Sequence, residues 1–327
     1  MAILITGGAG YIGSHMVYAA LERGEKVVVV DNLTTGNRGL VADGAVFVQG
    51  NAGDQALIGK LVGEHGIDAI IHYAGSIVVP ESVAEPLAYY ANNTVVARNL
   101  IEAAVHAGVK NFIFSSTAAV YGEGHNGLMT ETMAAEPINP YGRSKLMTEW
   151  MLEDTARAHD FRFVALRYFN VAGADPKGRT GQSSPRATHL IKRACQAALG
   201  RVPQLDIFGT DYATPDGTGV RDYIHVSDLV AAHALALDYL RGGGAATVMN
   251  CGYGHGASVR EVIKAVERVA GQKLPVREAP RRPGDSPSLV ADAGLIRETL
   301  RWTPVHDDLD EIVRDAYAWE RRLNAAG

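Results

Sequence analysis

Cysteine is scarce in this chain of 327 residues, which holds only Cys195 and Cys251. The two stand far apart and no C-x-x-C pair exists, so neither a disulfide framework nor a thiolate zinc site is expected. Histidines fall singly, and no metal site is expected from them either. No block of lysine and arginine is present, and the formal net charge is −5. That argues against a nucleic-acid binder, whose contact face is usually basic. No apolar run reaches the length of a membrane span. The opening MAILITGG enters a strand pattern at once, without the basic start and cleavage signal of a secretory leader. Internal repeats and low-complexity tracts are missing too. The expectation is a soluble protein of a reducing compartment, the cytoplasm. Its 47% hydrophobic and 20% charged residues are ordinary for a globular chain.

What is present is a rhythm. AILIT (2–6), KVVVV (26–30), AVFV (45–48), DAIIH (68–72) and NFIFS (111–115) read as strands buried on both faces. Segments near 12–23, 54–65 and 92–107 read as helices between them, with Gly24 at the C′ position of the first. Alternation of this kind predicts an α/β fold, a doubly wound parallel sheet. Past about residue 170 the rhythm changes to long Gly- and Pro-containing loops, such as 173–185 and 209–222. Helical patterns return at 186–199, 227–241, 258–270 and 307–323. The expected layout is a Rossmann domain over 1–170 and a smaller mixed α/β domain over 171–327. The chain is expected to cross between the two more than once.

TGGAGYIGSH (6–15) follows the first strand and opens the first helix. Gly7, Gly8, Gly10 and Gly13 fit both G-x-x-G-x-x-G and G-x-G-x-x-G, spacings that let a pyrophosphate approach backbone N–H groups. Asp31 ends the second strand, where an acid can accept both hydroxyls of an adenosine ribose and repel a 2′-phosphate. NAD is therefore favoured over NADP, with Arg38 a modest counter-signal; a turn or N-cap role for Asp31 is the plain alternative. HYAG (72–75) ends the fourth strand, and FSSTAAVYG (114–122) the fifth. Ser115, Ser116 and Thr117 offer hydroxyls at that strand end. In NPYGRSK (139–145), Asn139 suits an N-cap and Pro140 the first helical position. Tyr141 and Lys145, four apart, then share a face. The ammonium and the helix N-terminus would both favour a phenolate.

These residues resemble the extended short-chain dehydrogenase/reductase family, and most closely its sugar-nucleotide 4-epimerase branch. The likeness continues through YYANN (89–93), LRYFNVAGA (166–174), IFGTDYATPDGTGVRDYIHVSDL (207–229) and APRRPGD (279–285), nearly the whole chain. It implies C4 epimerisation of a UDP-sugar by bound NAD, and a homodimer through helices near 92–107 and 141–158. Thr117, Tyr141 and Lys145 match the catalytic group. Ala118 and Ala119 stand where the 4,6-dehydratases carry Asp-Glu, which speaks against dehydration. Around the cofactor the resemblance places Gly7, Gly10, Tyr11, Ile12 and Gly13, then Asp31, Asn32, Asn51 and Ala52. It adds Tyr73, Ala74, Gly75, Asn92, Ser115, Tyr141, Lys145, Tyr168 and Phe169. Two positions depart from the family: Asn51 replaces an Asp, and Ile77 a Lys that helps hold the nicotinamide ribose, so weaker cofactor retention is expected. Around the substrate it places Asn170, His189, Leu190, Phe208, Arg221, Tyr223, Arg282, Asp285 and Leu289, beside Thr117 and Tyr141. Guanidinium forks at Arg221 and Arg282 suit a diphosphate. An Arg221–Asp222 salt bridge and a solvated Arg281–Arg282 pair are the alternatives. Leu289 matches a gate near the sugar C2 group and is intermediate in size, so acceptance of N-acetylhexosamines or pentoses stays open. A net oxidoreductase and a non-catalytic dinucleotide sensor are the remaining readings.

Overall fold

The β-branched stretches of the first half form the centre of a parallel sheet. The computed structural model describes residues 1–122, 127–184, 187–282 and 285–325. Position 186 of the expected helix and Pro283 and Gly284 of APRRPGD lie outside them. In chain order the strands are β1 (Ala2–Thr6), β2 (Lys26–Asp31), β3 (Val46–Gln49), β4 (Ile67–His72), β5 (Asn111–Thr117) and β6 (Arg162–Tyr168). Then come β7 (Asn170–Ala172), β8 (Leu205–Phe208), β9 (Val220–Arg221), β10 (Tyr223–His225) and β11 (Thr247–Cys251). The last three are β12 (Ala257–Ser258), β13 (Val276–Ala279) and β14 (Ser288–Leu289).

Seven strands make the main sheet, in the order β11-β6-β5-β4-β1-β2-β3, and every pairing in it is parallel. The order is that of a doubly wound Rossmann sheet with β11 added at one edge. Alternation along each strand sorts the core into two layers. Ile3, Ile5, Val27 and Val29 pack on one face with Met16 and Val17 of the helix Tyr11–Glu22 and Leu229 and Leu237 of the helix Val226–Arg241. Leu4, Val28, Val30 and Ile70 pack on the other with Ile58, Leu100 and Leu152 from the helices Gln55–His65, Val96–His106 and Pro140–Ala158. Full burial of each such side chain stabilises the fold by about 1.5–3 kcal/mol.

The connections leave β1 and β4 toward opposite sides, and a crevice opens between neighbouring loops at such a point. The two strands are tied at their ends, where Thr6 Oγ1 lies 2.7 Å from His72 Nδ1. Beyond β6, small sheets carry the rest: β7 pairs with β10, β9 lies between β12 and β14, and β8 pairs with β13. Among the described residues no helix is long and apolar enough to cross a membrane.

Several elements differ from expectation. β3, expected to be buried on both faces, is exposed at Val46 and Gln49 and only partly buried between them. The helix expected over 92–107 begins with a π-helical turn at Tyr90–Val95 and becomes α-helical at Val96–His106. Thr247–Cys251, a short run that drew no expectation, forms β11 against β6.

Candidate active site

The turn after β1 is shaped by what glycine lacks. Gly7 has φ +73° and a Cβ there would stand 2.6 Å from Ala74 N, so the loops after β1 and β4 touch backbone to backbone. A Cβ on Gly13 would meet Gly7 O at 2.2 Å. Gly10 caps the helix Tyr11–Glu22 without a side-chain hydrogen bond, and no acid lies in the first turn. The N–H groups and the positive end of the helix therefore face the crevice ready for an anion. Tyr11 donates its hydroxyl to Gly173 O at 2.7 Å, and Ile12 packs on the core. What these two offer a ligand is backbone.

Asp31 is buried and accepts from Ala9 N at 3.0 Å and Leu33 N at 2.8 Å. Both the turn role and the ribose role fit, since a carboxylate has about four acceptor sites. Arg38 lies 4.6 Å from the centre of the Phe47 ring, so its charge is spent on packing. Asn32 and Asn51 accept from Thr34 N at 3.0 Å and Gly53 N at 2.8 Å, and Ala52 is buried beside them.

The Tyr73 ring packs against His233 at 4.9 Å, and its hydroxyl is buried with no hydrogen-bond partner among the described residues. Ala74 and Gly75 follow; a Cβ on Gly75 would lie 3.7 Å from the Lys145 ammonium. Asn92 Nδ2 donates to Ser76 Oγ at 3.0 Å. Asn93, which attracted no expectation, holds the same loop: its Oδ1 accepts from Ser76 N at 2.7 Å, and its Nδ2 donates to Ser76 O and Ser144 Oγ, both at 3.0 Å. The YYANN run was the available signal, but a π-helical turn alters which residues face the loop.

The helix Pro140–Ala158 begins as the sequence suggests, with the Asn139 side chain accepting from Gly142 N at 2.9 Å. Tyr141 and Lys145 are both buried on its inner face. Lys145 Nζ donates to Ser115 O at 2.8 Å and lies 4.9 Å from the Phe114 ring centre. Thr117 Oγ1 accepts from Ala119 N at 3.2 Å and stands close enough to the Tyr141 phenol to favour its ionised form. Tyr168 sits opposite Thr117 in the β5–β6 register, and its hydroxyl bonds to Ser115 Oγ. Burial pulls the Lys145 ammonium down to about 8, opposed by the charge of Glu149. The Tyr141 phenol is pushed up from its ordinary value by burial, opposed by Thr117. This differs from the expected phenolate. In the protein alone burial outweighs the favourable influences, and the ammonium is aimed at a carbonyl.

The substrate candidates gather through the small sheets. Tyr223 pairs with Asn170 and Leu289 with Arg221 in register. Arg221 Nη2 lies 3.8 Å from Asp285 Oδ1. Asp222 instead accepts backbone N–H groups of Tyr253 at 2.9 Å and Gly254 at 3.0 Å, and Arg221 pairs with Asp285 rather than with it among the described residues. Arg282 stacks 3.8 Å over Phe208, whereas Arg281 pairs with Asp211 at 2.7 Å. Phe169 belongs to a cluster with Tyr121 and Ala291, and Leu289 packs against it. His189 precedes the helix Leu190–Ala198. It lines a cavity shared with Tyr11, Gly173, Lys192 and Trp319, and its Nδ1 has no partner among the described residues.

Residues 3–252 match the model of the NAD dependent epimerase/dehydratase family. The chain belongs to this family. A family relative named UDP-glucose 4-epimerase, from Azospirillum brasilense, is 57% identical over 98% of this chain and 92% of its own. The structure of UDP-glucose-4-epimerase from Stenotrophomonas maltophila, solved with NAD and formylated UDP-arabinopyranose, superposes with TM-score 0.97 at 39% identity over all of both chains. The UDP-Glc/GlcNAc 4-epimerase of Campylobacter jejuni superposes with TM-score 0.87 at 47% identity, covering 98% of this chain and 99% of that one. The family's dinucleotide fits the residues described above. The glycine cradle, the helix start without a side-chain cap and the buried Asp31 suit its pyrophosphate and ribose.

Proposed function

We propose that this protein interconverts UDP-galactose and UDP-glucose by inverting C4 of the hexose, with NAD as resident cofactor. The 57% identity to a UDP-glucose 4-epimerase along nearly the whole chain supports it. The observation that carries it is local: Tyr141 and Lys145 are buried one turn apart, with Lys145 bonded to Ser115 O on the strand that ends in Thr117 and standing beside Gly75. Residues 1–170 are read as mainly holding the dinucleotide and 171–327 mainly the UDP-sugar.

Held by the turn at residues 7–13 and by Asp31, NAD would supply a hydride acceptor and donor at C4, so that the sugar would pass through a 4-keto form. Tyr141 takes and returns the O4 proton. Bringing a phenol from about 10 to neutrality requires roughly 4 kcal/mol of differential stabilisation. Lys145 and the cationic nicotinamide ring would supply that charge against burial, which pushes the phenol the other way. Thr117 orients O4. Arg221 and Arg282 grip the diphosphate, with Phe208, Tyr223, Asn170 and Asp285 around them. Inversion needs both sugar faces presented in turn, so the grip falls on UDP.

Purified protein given UDP-galactose without added cofactor is expected to form UDP-glucose to equilibrium. A dehydrogenase would stall after one turnover and leave an oxidised sugar. Leu289, smaller than an aromatic side chain and packed beside Phe169, supports a second activity on UDP-N-acetylhexosamines. The exposed Val95 and Trp150, the latter 54% accessible, support a homodimer through their helices, which light scattering tests. The enzyme is read as cytoplasmic.

A further inference from the structure

Four residues beyond Lys145, on the same helix, lies Glu149, 1% exposed. Arg167 of β6, 6% exposed, meets it with Nε at 3.1 Å and Nη2 at 2.6 Å. The Ser116 hydroxyl donates to the same carboxylate. Ser116 follows Ser115, whose carbonyl receives the Lys145 ammonium. Arg167 continues to the Tyr121 hydroxyl at 3.2 Å, and that hydroxyl donates to Asn250 of β11 at 2.6 Å. Burying an ion pair is a poor source of stability, because desolvation offsets much of the attraction. Its position calls for another reason.

We infer that Glu149 is a positioning residue for Lys145: its carboxylate, clamped by Arg167 and Ser116, supplies the field that keeps the buried ammonium charged and aimed at Ser115. The inference rests on the reading of Tyr141 and Lys145 given above. Burial disfavours the ammonium, and a carbonyl partner brings no net charge. The other titratable groups around it do not supply one. His72 of β4 is bound to Thr6 and held neutral down to about 3 by burial and by Lys145 itself. Tyr141 and Tyr168 are both held protonated by burial. Arg167 carries the same sign as Lys145. Glu149 supplies the opposing negative charge. Residues four apart on a helix can also meet directly, and a direct bond would draw Lys145 away from Tyr141. The two-pronged hold of Arg167 prevents that, so Glu149 acts through space.

The test compares kcat against pH for the NAD-loaded protein and its Glu149→Gln, Glu149→Gln/Arg167→Gln and Tyr141→Phe variants, at saturating UDP-galactose. Glu149→Gln is expected to lower the midpoint of the alkaline limb by about one to two pH units, with KM little changed. A uniform loss at every pH with an unmoved midpoint would mark a purely structural role and overturn the inference. Should the single variant not fold, because Arg167 is left buried and unpaired, the double variant removes both charges and decides. A downward midpoint is expected there too, because Glu149 dominates the field at Lys145, and an unmoved one overturns the inference. Turnover surviving in Tyr141→Phe would sink the underlying reading of the site, a separate failure from that of Glu149.

Discussion

Lys145 Nζ donates to Ser115 O at 2.8 Å, and this bond ties the helix that carries Tyr141 to the strand that carries Thr117. Three groups from two elements are thereby held in one place. Neither element is free to shift without breaking a charge-assisted bond, which contributes about 1.5–3 kcal/mol. The hydroxyl pair is thus set by backbone, and the loop after β4 closes over it through Asn93.

From that arrangement, Tyr141→Phe is expected to lower kcat by about a hundredfold or more, the range of general acid–base catalysis. Thr117→Ala removes an orienting bond and should cost less, about tenfold. Both variants should bind UDP as the parent does, because Arg221, Arg282 and Phe208 are untouched. Steady-state kinetics with a calorimetric UDP titration separates the two effects. Equal losses in kcat and UDP affinity would count against the assignment.

The legible part of this molecule was the local part. The glycine turn, the Asn139–Pro140 helix start and the apolar strands depend on neighbours within a few residues, and the structure has each of them where expected. What escaped depends on distant partners. The packing of the Tyr73 ring against His233, on the helix Val226–Arg241, was not readable from its neighbours. Thr247–Cys251 becomes a strand only because the edge of β6 is open to it. Glu149 drew no expectation, because its role depends on Arg167, 18 positions on, which holds it.

Stability should fall with acid before the carboxylates titrate. Burial holds His15 down to about 4, His72 to about 3 and His233 to about 4. Unfolded, each takes up a proton near pH ~6.5. Below that the unfolded chain binds more protons, so stability that is fully present above pH ~6.5 is lost as pH falls toward the folded values. Each histidine adds a slope approaching about 1.4 kcal/mol per pH unit. Urea unfolding at pH 7.5, 6.5 and 5.5, with His233→Leu as control, measures the sum and one share. A flat profile would mean that these imidazoles are not buried neutral.

The two arginines should act on binding more than on chemistry. Arg282 stacks on Phe208, and Arg221 is held near Asp285; both stand on strands or loops away from Thr117. Removing a charged hydrogen-bond donor costs about 1.5–3 kcal/mol, which is roughly a 10- to 150-fold weaker complex. Arg282→Ala and Arg221→Ala are therefore expected to raise KM by that factor with a smaller change in kcat. If kcat falls while KM holds, the diphosphate lies elsewhere.

Leu289 is the residue proposed to set the width of the sugar pocket. It pairs with Arg221 in register and packs against the cluster of Phe169, Tyr121 and Ala291, which joins the diphosphate grip to the border of the reacting carbon. A tyrosine there adds an aromatic ring to a wall already backed by a buried cluster, and overpacking costs about 1–3 kcal/mol. That penalty falls on the substrate that needs the space. Leu289→Tyr is expected to cut turnover of UDP-N-acetylglucosamine by about 5- to 150-fold relative to UDP-galactose, and Leu289→Ala to move the ratio the other way. The ratio of the two kcat/KM values measured on one preparation cancels any loss of active protein. An unchanged ratio in both variants would remove Leu289 from the pocket wall and leave the acetyl group to be met by another residue.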